Sequence, residues 1–383
     1  MNAVLRILWL EGIFDEDTVS AFPACSPAVN FWHSGFVSGL VAAGCNMTLV
    51  GHAYDRMWPT GRMMVRSGDA RLAPGLAGKI AGYLNLPLLR RQTQAFNYMS
   101  LVKAIVTESG PPDYVFTFND TPATSAARYL SRKYGVPWIY IAGDGPALKG
   151  ANGYLYQNWV YYLSPSAPGP KIHLDGGLPA VGDIDLASAT EMPKVLMYMG
   201  ALTEHGGALQ LARAFHSISE PDVELWFTGR GTNPALEQLA AVDPRIKLYG
   251  FVTQDKLHEL AMRANFFANP RPTAFVPNKL NYPSKILHYL AYGRPVLSTF
   301  TDGLSPDYRD VLIPIEEETE AGLATAIRCA LGLSDDEYRT WCTRVAQFNR
   351  TRTWSEQSSR LLSWLEAEFQ GSPRPHKLQR TGE

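Results

Sequence analysis

At 383 residues the chain is longer than a single hydrophobic core ordinarily organises, so two domains are the expectation. Hydrophobic residues make up 46% of it, which excludes a disordered chain, and a net charge of −1 excludes the broad basic field that nucleic acid selects.

The four cysteines, Cys25, Cys45, Cys329 and Cys342, lie too far apart for zinc spacing or a disulfide framework and read as reduced thiols. The opening run MNAVLRILWLEGIF meets acidic residues too soon for a signal peptide and lacks a small-residue cleavage site. It reads as a first strand. No stretch approaches the length of a membrane span, so a cytoplasmic protein is expected.

Residues 4–10 form that strand. A loop rich in Pro, Ser and acids runs from Glu11 to Asn30, Phe31–Ala43 has helical spacing, and Met47–Val50 is a second strand. A β–loop–α–β unit opens a parallel sheet, whose ligands sit at the loops after the carboxyl ends of its strands. Ser26, Asn30, His33 and Ser34 are therefore candidate ligand residues; the plainer reading of each is a helix cap or a solvated side chain. Residues 51–110 carry Arg56, Arg62, Arg66, Arg71, Lys79, Arg90, Arg91 and Lys103 against Asp55, Asp69 and Glu108, with leucines between them. Such a segment either lies on an anionic membrane surface or is a helical excursion with a solvated basic rim.

Tyr114–Phe118 and Trp138–Ala142 are the next strands, separated by a helix over Ala123–Tyr134. Asn119-Asp120-Thr121-Pro122 links the first of them to that helix, and Asp144 follows the second in a Gly-Asp-Gly turn. Ser164–Asp183 is dense in Pro and Gly and reads as a linker.

A second β/α series follows. Its strands are Lys194–Met199, Val223–Thr228, Ile246–Tyr249 and Asn265–Ala268, with helices over Ala208–Ile218, Asn233–Ala241 and Gln254–Arg263. Glycines mark the strand ends, as at Gly200, Gly229 and Gly250. Asn278 to Thr299 then reads loop, helix, strand. Pro283 suits a first helical turn, Ile286, Leu287, Leu290 and Ala291 form one apolar face, and Gly293 ends the helix. Lys279, Ser284 and Lys285 at its start make an anion site or an ordinary solvated helix end. The acids Glu316–Glu318 precede a helix over Glu320–Leu331. Further helices start near Asp335 and at Trp354–Phe369, and the tail from Gly371 is polar.

The residues Asn269-Pro270-Arg271-Pro272, Lys279, Pro283-Ser284-Lys285, Tyr289, Ala291, Gly293 and Pro295-Val296-Leu297 resemble glycosyltransferase family 4 enzymes of bacterial exopolysaccharide and glycan assembly. The likeness continues through YMGALTEHGG (198–207), FTGRG (227–231) and KIHLDGG (171–177), and more weakly SPAVNFW (26–32). It implies an α/β GT-B fold: two Rossmann-like domains facing across a cleft, with a C-terminal helix crossing back to the first. The implied division is an acceptor domain over 1–170, a linker over 171–190, a nucleotide-sugar domain over 191–350, the crossing helix over 351–370 and a tail over 371–383.

The same resemblance implies metal-independent, retaining transfer. Lys279 and Lys285 would meet the charge of the leaving diphosphate, with Asp144 as a third catalytic candidate. Donor contacts would come from Gly200, His205, Gly229, Phe251, Val252, Arg271, Ser284 and His288, including the N–H groups at Ser284–Lys285, and acceptor contacts from Ser26, Asn30 and His33. No cofactor is implied beyond the nucleoside diphosphate-sugar substrate. The implied partners are that donor, a glycan or lipid-linked acceptor, and an anionic membrane surface met through residues 51–110; no nucleic acid is among them. The chain departs from the family where a Glu-x7-Glu pair often stands: here Leu280 and His288 occupy those positions. Ala201 and His205 stand where Arg and Lys are usual. These departures keep open a catalytically silent nucleotide-sugar-binding partner of a glycan-assembly complex, and more remotely a GT-B epimerase.

Overall fold

A computed structural model describes residues 4–14, 21–22, 24–71, 76–119, 121–179 and 193–369. Asp120, the acids at 15–17, residues 180–190 of the expected linker and the tail from 371 lie outside the described residues. The chain divides into two compact units, Met1–Gly177 with Trp354–Glu383, and Leu178–Thr353.

The first unit is built on β1 (Arg6–Leu10), β2 (Asn46–Gly51), β4 (Gly68–Arg71), β5 (Ala77–Ile80), β7 (Tyr114–Phe118), β8 (Trp138–Ala142), β9 (Gly153–Tyr156) and β10 (Lys171–His173). Their order is β10-β9-β8-β7-β1-β2-β5-β4, parallel except for the β4–β5 pair. Leu8 lies opposite Thr48 on one side and Val115 on the other. The central strands are continuous apolar runs because helices cover both faces, and Trp138–Ala142 is buried throughout.

Three expectations change here. The helix after β1 starts earlier, spanning Pro27–Ala42, with the Ser26 side chain accepting from Val29 N–H at 3.4 Å. Residues 51–110 are not one helical excursion. The hairpin β4–β5 and a ribbon of β3 (Met64–Val65) and β6 (Tyr83–Leu84) precede a single helix, Arg90–Ser109. The stretch read as linker begins with β10, the sheet's edge strand.

The helix Trp354–Phe369 belongs to this first unit and packs on Pro27–Ala42. A side chain at Gly35 would collide with the Trp354 indole, and one at Gly39 with Ser358 Oγ. Leu361 and Leu365 complete the apolar cluster that holds Trp9, Phe36 and Phe116.

The second unit is a six-stranded parallel sheet of β11 (Lys194–Met199), β12 (Val223–Thr228), β13 (Ile246–Gly250), β14 (Phe266–Asn269), β15 (Val296–Ser298) and β16 (Leu312–Pro314). The order β13-β12-β11-β14-β15-β16 reverses direction between β11 and β14. The crevice beyond the carboxyl ends of those two strands is where such sheets hold ligands. Among the described residues no helix is long and apolar enough to cross a membrane.

Candidate functional site

The site is built around the ends of β11, β12 and β14. Gly200, directly after β11, has φ +146°, and its N–H donates to Thr228 O at 2.8 Å. Gly229, after β12, also has φ +146°; its N–H donates to Gly250 O at 2.9 Å, and a Cβ there would strike the Gly200 carbonyl. Only glycine permits two loops to lie this close at these dihedrals. Above Gly200 stands Lys285, whose Nζ and Cε fill the space a side chain at position 200 would need. The ammonium lies 5.0 Å from the centroid of the Tyr198 ring, and the Tyr198 hydroxyl donates to Ala201 O at 2.9 Å.

Burial, helped by the Arg271 guanidinium, lowers the Lys285 pKa to about 8. A lysine held in this way is a cation whose charge is poorly solvated and poised for an anion. Burial in turn raises the Tyr198 phenol to about 12 against the opposing pull of Arg271. The helix carrying Lys285 is fixed from beneath. Tyr289, fully buried, donates to Met199 O at 2.8 Å and accepts from Met199 N–H at 3.1 Å, and its ring stacks on Phe267. Lys285 and the end of β11 are therefore tied together through one side chain.

This helix, Lys285–Leu290, is shorter than expected, and Pro283 precedes it rather than occupying its first turn. The Ser284 side chain makes no capping bond. Its N–H, expected to face an anion, donates instead to Tyr282 O at 3.0 Å, and the Ile286 N–H donates to Pro283 O at 2.9 Å. The side-chain positive charge at this point is that of Lys285 and Arg271. Gly293 has φ +65° and closes the turn before β15, as expected.

Lys279 is exposed at the end of a short helix, Val276–Lys279, that the periodicity did not show. Its neighbour Asn278 is buried, and its amide donates to His205 O at 3.0 Å and Pro272 O at 2.9 Å. It ties the loop after β11 to the loop after β14. The His205 ring stacks on Phe275 with centroids 4.3 Å apart. The loop after β14 has two further supports: Thr273 bonds Glu318 through both N–H (2.7 Å) and hydroxyl (2.5 Å), and Thr299 Oγ1 donates to Arg271 O at 2.7 Å. Glu318 is thus a loop clamp and not merely a solvated acid.

Phe251 is 68% exposed after β13, with the Arg230 guanidinium 4.3 Å over its ring; Val252 beside it is half-buried. Arg230 sits in the Gly-x-Gly of 229–231, whose spacing alone carried little signal. The His288 ring is exposed at the surface although dense protein lies beneath it. That packing lowers its pKa, and its open edge limits the effect. Gly200, Gly229, Lys285 and Arg271 come together as one centre, while His205 is joined to it through Asn278.

The first-unit candidates have structural occupations. Asn30 clasps Phe14, accepting from its N–H at 2.7 Å and donating to its carbonyl at 2.8 Å. Ser26 is the helix cap described above. His33 is fully buried; it accepts from Trp9 Nε1 at 3.2 Å and packs edge-on against Phe118, so it is removed from any surface ligand. Asp144 is exposed in the turn after β8. Sequence reasoning passed over Glu11, which follows β1 and is fully buried, with the Tyr54 hydroxyl 3.4 Å from Oε1. Burial raises its pKa to about 8. Among the described residues no group of three His, Cys, Asp or Glu could hold a metal.

Residues 193–332, the second sheet with its loops, match the family model described as Glycosyl transferases group 1. No curated protein matches the chain. Solved structures match it almost end to end. Sucrose-phosphate synthase from Thermosynechococcus elongatus aligns at 15% identity and TM-score 0.66, over 95% of this chain and 99% of that one. The Anabaena protein HepE, in complex with UDP and glucose, aligns at 12% and 0.61, over 95% and 100%. A putative UDP-N-acetylglucosamine 2-epimerase from Listeria monocytogenes aligns at 12% and 0.56, over 98% and 99%. At these identities the likeness is one of architecture, and the architecture is the GT-B fold.

Proposed function

We propose that the protein is a retaining, metal-independent glycosyltransferase that moves a sugar from a nucleoside diphosphate donor to a glycan or lipid-linked glycan. The observation that carries this reading is the Lys285 ammonium held over Gly200, in a segment matched by the group 1 model. A diphosphate lying at Gly200 would meet Lys285 and Arg271, both of which favour charge that develops as the donor bond breaks. Lys279 is assigned to the same diphosphate from the other side of the loop. Gly229, Phe251 and Val252 would border the base, with Arg230 behind Phe251. His288 would take the ribose hydroxyls in place of a glutamate, since imidazole both donates and accepts. The first unit is assigned the acceptor, and the protein a cytoplasmic place at the inner face of a bacterial membrane.

The test is transfer by Lys285→Ala with UDP-, GDP- and dTDP-sugars first screened by thermal shift. The expected result is a donor-stabilised wild type and a folded variant without transfer; wild-type-like transfer by the variant would sink the assignment. A second reading has its own support: Ala201, His205, Leu280 and His288 replace charged residues usual in family 4. Donor binding with neither transfer nor slow donor hydrolysis would favour a silent binding partner.

A further inference from the structure

Exposed apolar side chains gather in the first unit between residues 57 and 96. Met64 and Leu84 are a directly opposed cross-strand pair on the outer face of the β3–β6 ribbon, while Val65 and Tyr83 fill its inner face. Leu84 N–H donates to Thr93 Oγ1 at 3.1 Å, which sets the ribbon beside the first turns of the helix Arg90–Ser109. Leu89 lies one turn before Thr93, and Phe96, 73% exposed, one turn after. Leu88 stands at the loop tip, 87% exposed, with φ +66°. A leucine in the left-handed region is strained, and a strained leucine presented almost wholly to water calls for a reason.

The group is held in place, not loose. Asn85 is fully buried; its amide donates to Arg56 O at 2.6 Å and Arg62 O at 2.8 Å. Its backbone N–H donates to Met63 O at 2.7 Å, and its carbonyl accepts from Trp58 N–H at 3.2 Å. One residue therefore fastens the 56–63 loop, with half-exposed Trp58, to the ribbon. Among the described residues of this segment, basic side chains outnumber acidic ones. Asp55 pairs with Arg62 and Asp69 with Lys79; Arg56, Arg66 and Arg91 are exposed in the same segment, while the Arg90 guanidinium turns inward over the Tyr83 ring, 5.2 Å from its centroid.

We infer that this surface is the docking face for an anionic lipid bilayer. Leu88, Leu84, Met64 and Phe96 would enter the headgroup boundary, Trp58 would lie at its level, and the exposed Arg56 and Arg66 would reach the lipid phosphates. A face of apolar tips rimmed by cations matches the uniformly negative face of such a membrane. The inference deepens the lipid-linked acceptor of the proposed function and rests on it for its purpose.

The test is flotation of the full chain with vesicles of equimolar phosphatidylglycerol and phosphatidylcholine, against phosphatidylcholine alone. Wild type is expected on the mixed vesicles, weakening as salt rises. Leu88→Asp with Phe96→Asp, both at exposed positions, is expected to reduce binding at least about tenfold, and Arg56→Glu with Arg66→Glu to do the same at low salt. Donor thermal shift is unaltered in all of these variants. Lys285→Ala should still float, which separates the failure of this surface from failure of the transferase reading. Equal binding by wild type and variants, or none to either vesicle, overturns the inference. So does a self-associated form that Leu84→Asp dissociates without any vesicle binding.

Discussion

Lys285 occupies the room above Gly200 that any larger residue at 200 would claim. Charge and backbone are thereby fitted to one another, and a side chain cannot be added at 200 while Lys285 keeps its place. Gly200→Ala brings a collision and a disfavoured φ together. The expected cost is about 1–3 kcal/mol of stability and a loss of donor-induced thermal stabilisation. Gly200→Ala with Lys285→Ala recovers only the part of the stability lost to the collision, since φ +146° stays disfavoured for alanine, and it does not recover the donor effect. Thermal melts with and without donor check both halves.

The lowered Lys285 pKa fixes a sign. The folded value is about 8 and the ordinary value 10.5, so between them the unfolded chain holds the proton that the folded chain has released. Stability contributed by this group therefore rises as pH climbs from about 8 to 10.5. A bound nucleoside diphosphate returns the proton. Near pH 8 binding should take up roughly half a proton per site, seen as a calorimetric enthalpy that depends on the buffer's ionisation heat. The dependence fades by pH 6.5 and is absent in Lys285→Met.

Asn278 reaches across 73 positions of sequence to His205 O and so joins two loops. Asn278→Ala removes both of its amide bonds in a buried place. About 1–3 kcal/mol of stability is expected to go with them, and KM for the donor should rise more than kcat falls, since the amide does not itself face the reacting atoms.

Glu11 carries the opposite sign. Its folded pKa of about 8 stands above the ordinary 4.5, so the folded chain keeps a proton that the unfolded chain gives up. Stability from this group is full below about 4.5 and is lost as pH rises towards 8. Glu11→Gln keeps the shape without the charge. Chemical denaturation of the variant should show a flatter decline between pH 5 and 9 than wild type, and an unchanged slope would refute the assignment of that decline to Glu11.

Much of the architecture was legible. Lys194–Met199, Val223–Thr228, Tyr114–Phe118 and Trp138–Ala142 are strands at their expected bounds, because a parallel sheet covered on both faces writes itself as unbroken apolar runs. Gly153–Tyr156 and Lys171–His173 escaped notice, as did the ribbon at 64–65 and 83–84. Strands of two to four residues carry no readable period, and Pro and Gly around them read as loop. His33 reads in the sequence as a candidate ligand residue, although Trp32, His33, Phe36, Val37 and Leu40 share the buried side of one helix, at a spacing the sequence displays. The lysine at 285 came from a motif. Asn278 and Glu318 did not, since their parts depend on loops that meet only in three dimensions.

The chain enters the first unit, leaves it at Gly177 and comes back at Trp354, where Gly35 and Gly39 receive the returning helix. On the ribosome, then, the unit begun first is finished last. Its apolar cluster waits for Leu361 and Leu365 until the whole of residues 178–353 has been made, whereas those residues lie in one uninterrupted piece and can complete their sheet beforehand. A nascent chain halted before position 354 would display an unfilled groove along Pro27–Ala42, open to chaperones and to proteases.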